Sequence, residues 1–251
     1  MTKRSYYSVK KRASGFTLIE LMVVMLILSI VCAAIFTQID QMQQRAVAEQ
    51  GKVDDFQQAR DFVDQIFRDT RQLGYPNVRN FDVSTGIWQS PLVKDHRLAA
   101  GLIKATSTQL QFEGDVDGSG TISIVSYMIN GNGACANCLQ RSQVSKVDGD
   151  PVTGQLNLTA ASYSTEIQNV QNATSLFTLY DATSTAITLP IDIDNNAATV
   201  ASVKTIQVNL TVASATSVDP KTGQRLEADV AGTMQIVNCS MATTGGTLNC
   251  Q

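Results

Sequence analysis

Few residues in this chain are spaced for chemistry, and each group admits more than one use. Cys135-Ala136-Asn137-Cys138 has the spacing of a redox pair or of half a zinc site. Cys239 and Cys250 would supply the other two thiolates of a four-cysteine zinc centre. Asp115-x-Asp117-x-Ser119-Gly120 follows the opening of a calcium loop, with oxygen side chains at positions one, three and five and glycine at six. His96 is the single histidine, so imidazole acid–base chemistry has one candidate and a multi-histidine metal site has none. Glu20 is the one charge in the apolar run 16–36.

Set against plainer readings, most of these lose their chemistry. Position twelve of the acidic loop is Ser126 rather than glutamate, so the bidentate ligand is missing. A Gly/Asp hairpin turn is the preferred reading there, with a weak Ca2+ site at Asp115, Asp117 and Ser119 as the alternative; no other cofactor or metal is expected. His96 sits in Lys94-Asp95-His96-Arg97 and reads as a solvated loop histidine. No nucleophile elbow, phosphate loop or paired-carboxylate pattern accompanies it, so no catalytic residue and no enzyme are expected. Trp88 reads as core or local cover.

The elements that carry these residues differ sharply along the chain. Of 251 residues, 43 % are hydrophobic and 16 % charged, where soluble domains average about 25 % charged. Residues 1–15 hold Lys3, Arg4, Lys10, Lys11 and Arg12 and no acid; the remaining 14 bases face 22 acids, so a +5 leader precedes a −8 remainder. That balance gives no reason to expect nucleic acid as a partner. No proline precedes Pro76, and Gly51 is the only glycine between Phe16 and Leu73, so the first quarter lacks helix breakers.

Residues 16–36, FTLIELMVVMLILSIVCAAIF, are long enough to cross a lipid bilayer as a helix, which takes about 20 apolar residues. The basic leader would stay cytoplasmic and the chain beyond about residue 40 would be exported. A secretory signal cut after Ala33 fits the small residue there, but the apolar run exceeds the usual 7–15 residues. A lipoprotein site at Cys32 is weaker, because Val31 stands where a small residue is needed. A plain anchor leaves Glu20 unexplained, since a carboxylate at the helix centre costs roughly 2.5–3.5 kcal/mol.

Arg12-Ala13-Ser14-Gly15-Phe16-Thr17-Leu18-Ile19-Glu20-Leu21-Met22-Val23-Val24 resembles the signal of type IV prepilins and type II secretion pseudopilins. The resemblance implies cleavage between Gly15 and Phe16 by a prepilin peptidase, N-methylation of Phe16, and retention of the apolar helix in the product. It also implies that Glu20 pairs with the N-terminal amine of a neighbouring subunit during assembly, which offsets its desolvation.

From Asp40 onward the pattern becomes amphipathic. Val53, Phe56, Val63, Ile66, Phe67, Thr70 and Leu73 recur at helical spacing, and Gly74 and Pro76 supply stop signals. An unbroken helix over 16–73 would span roughly 87 Å at about 1.5 Å per residue, the long N-terminal helix of a pilin. Thr37 stands where many major pilins carry a kinking proline, and Gly51 is the weak point of the run.

Beyond Pro76 the chain turns rich in Ser, Thr, Asn and Gly. Strands are expected at Gln109–Phe112, Thr121–Ile129, Leu139–Val144, Leu176–Tyr180, Val203–Val212 and Asp229–Val237. Asp219-Pro220-Lys221-Thr222-Gly223 should turn the last two antiparallel. The expected class is α+β, a type IV pilin-like fold with a long N-terminal helix packed on an antiparallel β-sheet domain. The expected divisions are a leader over 1–15, a transmembrane and assembly helix over 16–39, its amphipathic continuation over 40–75, and a β-rich domain over 76–251.

On the exported side, disulfides are preferred over zinc. Four cysteines allow three connectivities; local pairing, Cys135–Cys138 and Cys239–Cys250, is the expectation. Cys32 reads as a buried small apolar residue.

Phe112-Glu113-Gly114-Asp115-Val116-Asp117-Gly118-Ser119-Gly120, Leu176-Phe177-Thr178-Leu179-Tyr180-Asp181, and Val203–Val212 followed by Asp219–Gly223 resemble PilW-type minor pilins in order and phrasing. That resemblance implies a low-abundance subunit that primes pilus assembly or sits at the tip. Its partners would be other major and minor pilins through the N-terminal helix, prepilin peptidase, the inner-membrane assembly platform and the lipid bilayer. The protein would be single-pass in the inner membrane before assembly, its C-terminal domain exported, and in the pilus afterwards. The alternatives are a minor pseudopilin of type II secretion and a membrane-anchored adhesive or binding module that never polymerises.

Overall fold

The computed structural model describes residues 15–77, 94–131, 135, 137–149, 162–172, 175–219, 222–237, 240–241 and 248–249. The basic leader up to residue 14, Trp88, Pro220, Lys221, Cys239 and Cys250 lie outside them. The chain divides into two compact units, Met1–Val47 and Ala48–Gln251.

The first unit is the N-terminal part of helix α1 (Leu18–Arg71). The helix starts at a capping box that the sequence spells as Thr-x-x-Glu. Thr17 donates its backbone N–H and its hydroxyl to Glu20 Oε2 (3.2 and 3.1 Å), and the Glu20 N–H donates to Thr17 Oγ1 (3.3 Å). Two donors of the first turn are thereby satisfied reciprocally. Within the apolar run, Ser29 and Thr37 turn their hydroxyls onto the carbonyls of Leu26 and Ala34, both at 2.8 Å, so neither needs water. The helix passes through Gly51 unbroken.

In the second unit α1 lays down a buried face of Ala59, Phe62, Val63, Ile66, Asp69 and Thr70, continued by Leu73. Val53 and Phe56, expected on this face, are 50 % and 40 % exposed. Phe56 and Val63 share an angular position, being nearly two turns apart, so the exposure of Phe56 reflects place along the axis rather than around it. The burying position between them is Ala59, with Phe62 beside it. Gly74, at φ 76°, ends the helix.

Among the described residues the strands form three antiparallel sheets. The largest has the order β5-β4-β3-β2-β1-β7, built from β1 (Leu102–Ala105), β2 (Gln109–Gly114), β3 (Ser123–Asn130), β4 (Cys138–Ser145), β5 (Tyr163–Ile167) and β7 (Ile191–Asp192). The second has the order β6-β8-β9, from β6 (Phe177–Tyr180), β8 (Thr205–Val218) and β9 (Arg225–Gln235). A two-residue pair, β10 (Ser240–Met241) and β11 (Leu248–Asn249), and a short helix α2 (Ala197–Ser202) complete it.

One hydrophobic core joins both larger sheets to the helix: Phe62, Val63 and Ile66 pack with Phe112, Tyr127, Leu139, Phe177, Ile206 and Val208. Phe62 meets the Tyr127 ring edge-on at 5.6 Å. The long helix on antiparallel sheet is the α+β class expected from the sequence, consistent with a type IV pilin-like fold.

The β8–β9 hairpin turns where the sequence placed it, with the Gly223 N–H donating to Asp219 O (2.8 Å) and Gly223 at φ 68°. Strand β8 runs on to Val218 through a register shift after Ala213. Strands β1, β5, β7, β10 and β11 and helix α2 were not expected from the sequence. Each is short; β1 is buried on both faces and β5 is mostly Ser, Thr and Glu, so neither alternates clearly.

Candidate functional site

The first candidate site is the apolar N-terminal segment. From Phe16 (80 % exposed) to Phe36 the large apolar side chains face outward on every side of the helix, and none of its best membrane-length window is buried. A helix apolar all round needs an apolar surrounding. Gly15 has no heavy atom within 4 Å of where a Cβ would stand, and it lies two residues before Thr17 of the cap. The cap holds the Glu20 carboxylate at the helix N-terminus, where the positive end of the macrodipole favours it; only Oε2 takes the two local bonds. The capping box was legible as Thr-x-x-Glu but was not read from the sequence. Cys32 is a free thiol, and it is partly exposed rather than buried, on a stretch whose large apolar side chains are themselves exposed.

The second group lies at the exit of α1. The Gly74 N–H donates to Glu113 O and the Asp115 N–H to Tyr75 O, both at 2.9 Å, and Leu73 bridges to Gly114. The acidic hairpin therefore grows from the strand end that is tied to the helix exit. In it, Asp115 Oδ2 accepts from the Gly120 N–H (3.0 Å), Asp117 Oδ1 from the Ser119 N–H (3.0 Å), and Ser119 Oγ from the Thr121 N–H (3.2 Å). Gly118 and Gly120 both take positive φ, 68° and 80°, which side chains resist. The hydroxyl and N–H of Ser119 hold the Asp117 carboxyl below the usual carboxylate value.

Two buried ion pairs stand beside this exit, and neither was read from the sequence. Lys146 Nζ donates to Glu113 Oε2 and to Leu98 O, both at 2.7 Å, with both charged side chains fully buried. Asp69 Oδ2 accepts from Tyr127 OH and from Arg141 Nη2 (2.7 Å) and Nε (2.9 Å). Their partners lie 33 and 72 residues apart, so only strand register brings them together.

His96 is on the surface, its Nδ1 2.8 Å from Asp148 Oδ1 and its backbone N–H donating to the same oxygen at 3.0 Å. Asp95 completes a group of possible metal-ligating atoms within 4.8 Å of one another. Both Asp95 oxygens already accept from Arg97 (2.7 and 2.9 Å), which holds that carboxyl below its usual value. Cys135 and Cys138 are joined by a disulfide with their Cα atoms 5.5 Å apart, at the turn that leads from β3 into β4.

Comparison with known proteins bears on the N-terminal segment alone. No curated protein and no solved structure matches the chain. Residues 10–36 match the family model of the prokaryotic N-terminal methylation motif, which supports a type IV pilin- or pseudopilin-like protein, a structural rather than an enzymatic family, with other pilins and prepilin peptidase as its general partners.

Proposed function

We propose that this protein is a minor pilin of a type IV pilus, most similar to the PilW type, acting in assembly and priming or at the tip. Prepilin peptidase removes residues 1–15, Phe16 becomes the N-methylated terminus, and the apolar helix holds the subunit in the inner membrane with its β-rich domain exported. The assembly platform then moves it into a filament, where residues 16–39 pack among the helices of other major and minor pilins.

The observation that carries this reading is the family-model match over residues 10–36, together with the exposure of the large apolar side chains from Phe16 to Phe36. The capping box adds a detail to the role of Glu20. With Oε2 committed to Thr17, Oε1 is the oxygen left for the amine of a neighbouring subunit, and Thr17 is a positioning residue for that contact. Glu20→Gln keeps the capping box, which accepts glutamine as readily as glutamate, and removes only the charge. It should insert into the membrane normally and fail to enter filaments, whereas normal incorporation would contradict charge pairing. Immunogold labelling of surface filaments, set against a secretion defect on deletion, separates the pilus from type II secretion.

A further inference from the structure

The β2–β3 hairpin carries more than a turn requires. Three backbone donors of its bend, the N–H groups of Ser119, Gly120 and Thr121, are satisfied by Asp117 Oδ1, Asp115 Oδ2 and Ser119 Oγ. That leaves Asp115 Oδ1, an oxygen closed to solvent on a residue only 8 % exposed, with no hydrogen-bond donor. An anionic oxygen sealed from water without a partner is costly, and an asparagine would cap Gly120 without that cost. The Asp115 side chain also reaches the Asp117 carboxyl, so two carboxyl groups share the loop. Among the described residues no lysine or arginine forms an ion pair with either. Among the described residues the side chain that reaches Asp117 from a neighbouring strand is neutral, Gln143 Nε2 at 3.5 Å from Oδ2.

We infer that the Asp115–Thr121 loop is a calcium site, with Asp115 Oδ1, the Asp117 carboxylate and Ser119 Oγ as side-chain ligands. An oxygen that water does not reach and no N–H approaches is satisfied by a bare cation at about 2.3–2.6 Å. The donors are all oxygen, which selects a hard cation over zinc or copper. By the pattern of calcium loops the Thr121 carbonyl and water complete the shell. Position twelve does not contribute: Ser126 is buried in the sheet between Gln111 Nε2 (3.2 Å) and Tyr163 OH (2.9 Å). Without a bidentate carboxylate the affinity belongs to the weak class of extracellular modules, a Kd of roughly 10⁻⁴–10⁻³ M. The site stands apart from the pilin reading and holds or fails without it. Its consequence is mechanical: the Asp115 N–H is bonded to Tyr75 O, so an ion that fixes the loop also fixes the strand end to the exit of α1.

The test uses the full chain in detergent, stripped with EDTA and titrated with CaCl2 by calorimetry and thermal melting, with MgCl2 at matched ionic strength as the comparison. Saturable binding and a rise in Tm of about 3–10 °C at ~10 mM Ca2+ are expected. Asp117→Asn keeps the acceptor for the Ser119 N–H on an exposed residue, and Ser119→Ala removes only the hydroxyl. Each should melt in EDTA within about 2 °C of wild type, and Asp117→Asn should bind Ca2+ at least tenfold more weakly. Absence of saturable binding by the wild type, unchanged binding by Asp117→Asn, or an equal response to Mg2+ would overturn the assignment.

Discussion

Replacing Asp69 with alanine should be among the most damaging single changes outside the core. Among the described residues its carboxylate is the only anion holding Arg141 to the helix, and both side chains are largely buried, 11 % and 15 % exposed. Tyr127, directly opposite Arg141 in the β3–β4 register, donates to the same oxygen. The Arg141 guanidinium also sits 5.9 Å over the Tyr127 ring, and burial followed by the nearby Asp69 charge pushes the phenol far above its usual range, so it stays a neutral donor. Asp69→Ala therefore strands a buried cation and a buried hydroxyl together. Removing one partner of such a pair costs about 3–5 kcal/mol, against a total of roughly 5–15 kcal/mol for a folded domain. At about 2–4 °C per kcal/mol for a chain of this size, Tm should fall by roughly 6–20 °C. Tyr127→Phe, which loses one bond to a charged acceptor, should cost about 1.5–3 kcal/mol. Near-UV circular dichroism of the detergent-solubilised chain through a denaturant series reads these values. The double variant Asp69→Ala/Arg141→Met should be more stable than the sum of its parts by at least about 1 kcal/mol. If Asp69→Ala alone costs under about 1 kcal/mol, the value of an exposed pair, the network does not lock helix to sheet and the reasoning fails.

Three further outcomes follow from the same geometry. A Cβ at Gly114 would stand 2.2 Å from Gln72 O, a backbone atom, whereas one at Gly232 would meet the Phe67 ring at 2.3 Å. Gly114→Ala should cost about 3 kcal/mol or more and Gly232→Ala distinctly less, because a ring can turn and a backbone cannot; equal melting losses would contradict this. Lys146→Met leaves the Glu113 charge buried without its ammonium and should cost about 3–5 kcal/mol, with Lys146→Met/Glu113→Gln recovering at least half in the same melts. Asp95 and Asp192 have folded pKa values below the ordinary 3.8, held down first by side-chain bonds from Arg97 and Asn195. Their stabilisation is complete above that value and is lost as pH falls from it through the lower folded pKa values. Tm should therefore drop between about pH 5 and pH 3, and Asp95→Asn should flatten part of that slope; a Tm that does not change over this interval would refute the linkage.

What could be read from the sequence depended on how local each signal was. The helix of residues 18–71 was legible because no proline and one glycine interrupt it, and its end was marked by Gly74. Strands β2, β3, β4, β6, β8 and β9 were legible as runs of β-prone residues between turn formers. Strands β1 and β7 were not: four and two residues buried in the sheet offer no alternation. The helix face was read too far toward the N-terminus, since periodicity shows direction around an axis and not how far a sheet extends along it. The pairs Asp69–Arg141 and Glu113–Lys146 were out of reach, because both depend on which residues the β2–β3–β4 register sets side by side. Thr17 was the missed local signal, present three residues before Glu20 at the start of an apolar run.

Intact mass tests most directly whether the apolar helix is kept while the basic leader is lost. Protein extracted from membranes of cells with an active prepilin peptidase should give a chain that begins at Phe16 and carries one methyl group on its amine. In cells lacking the peptidase the mass should return to that of the chain with its leader. A mature chain starting at Ala34, or an unprocessed and unmethylated chain in the presence of the peptidase, would contradict the account.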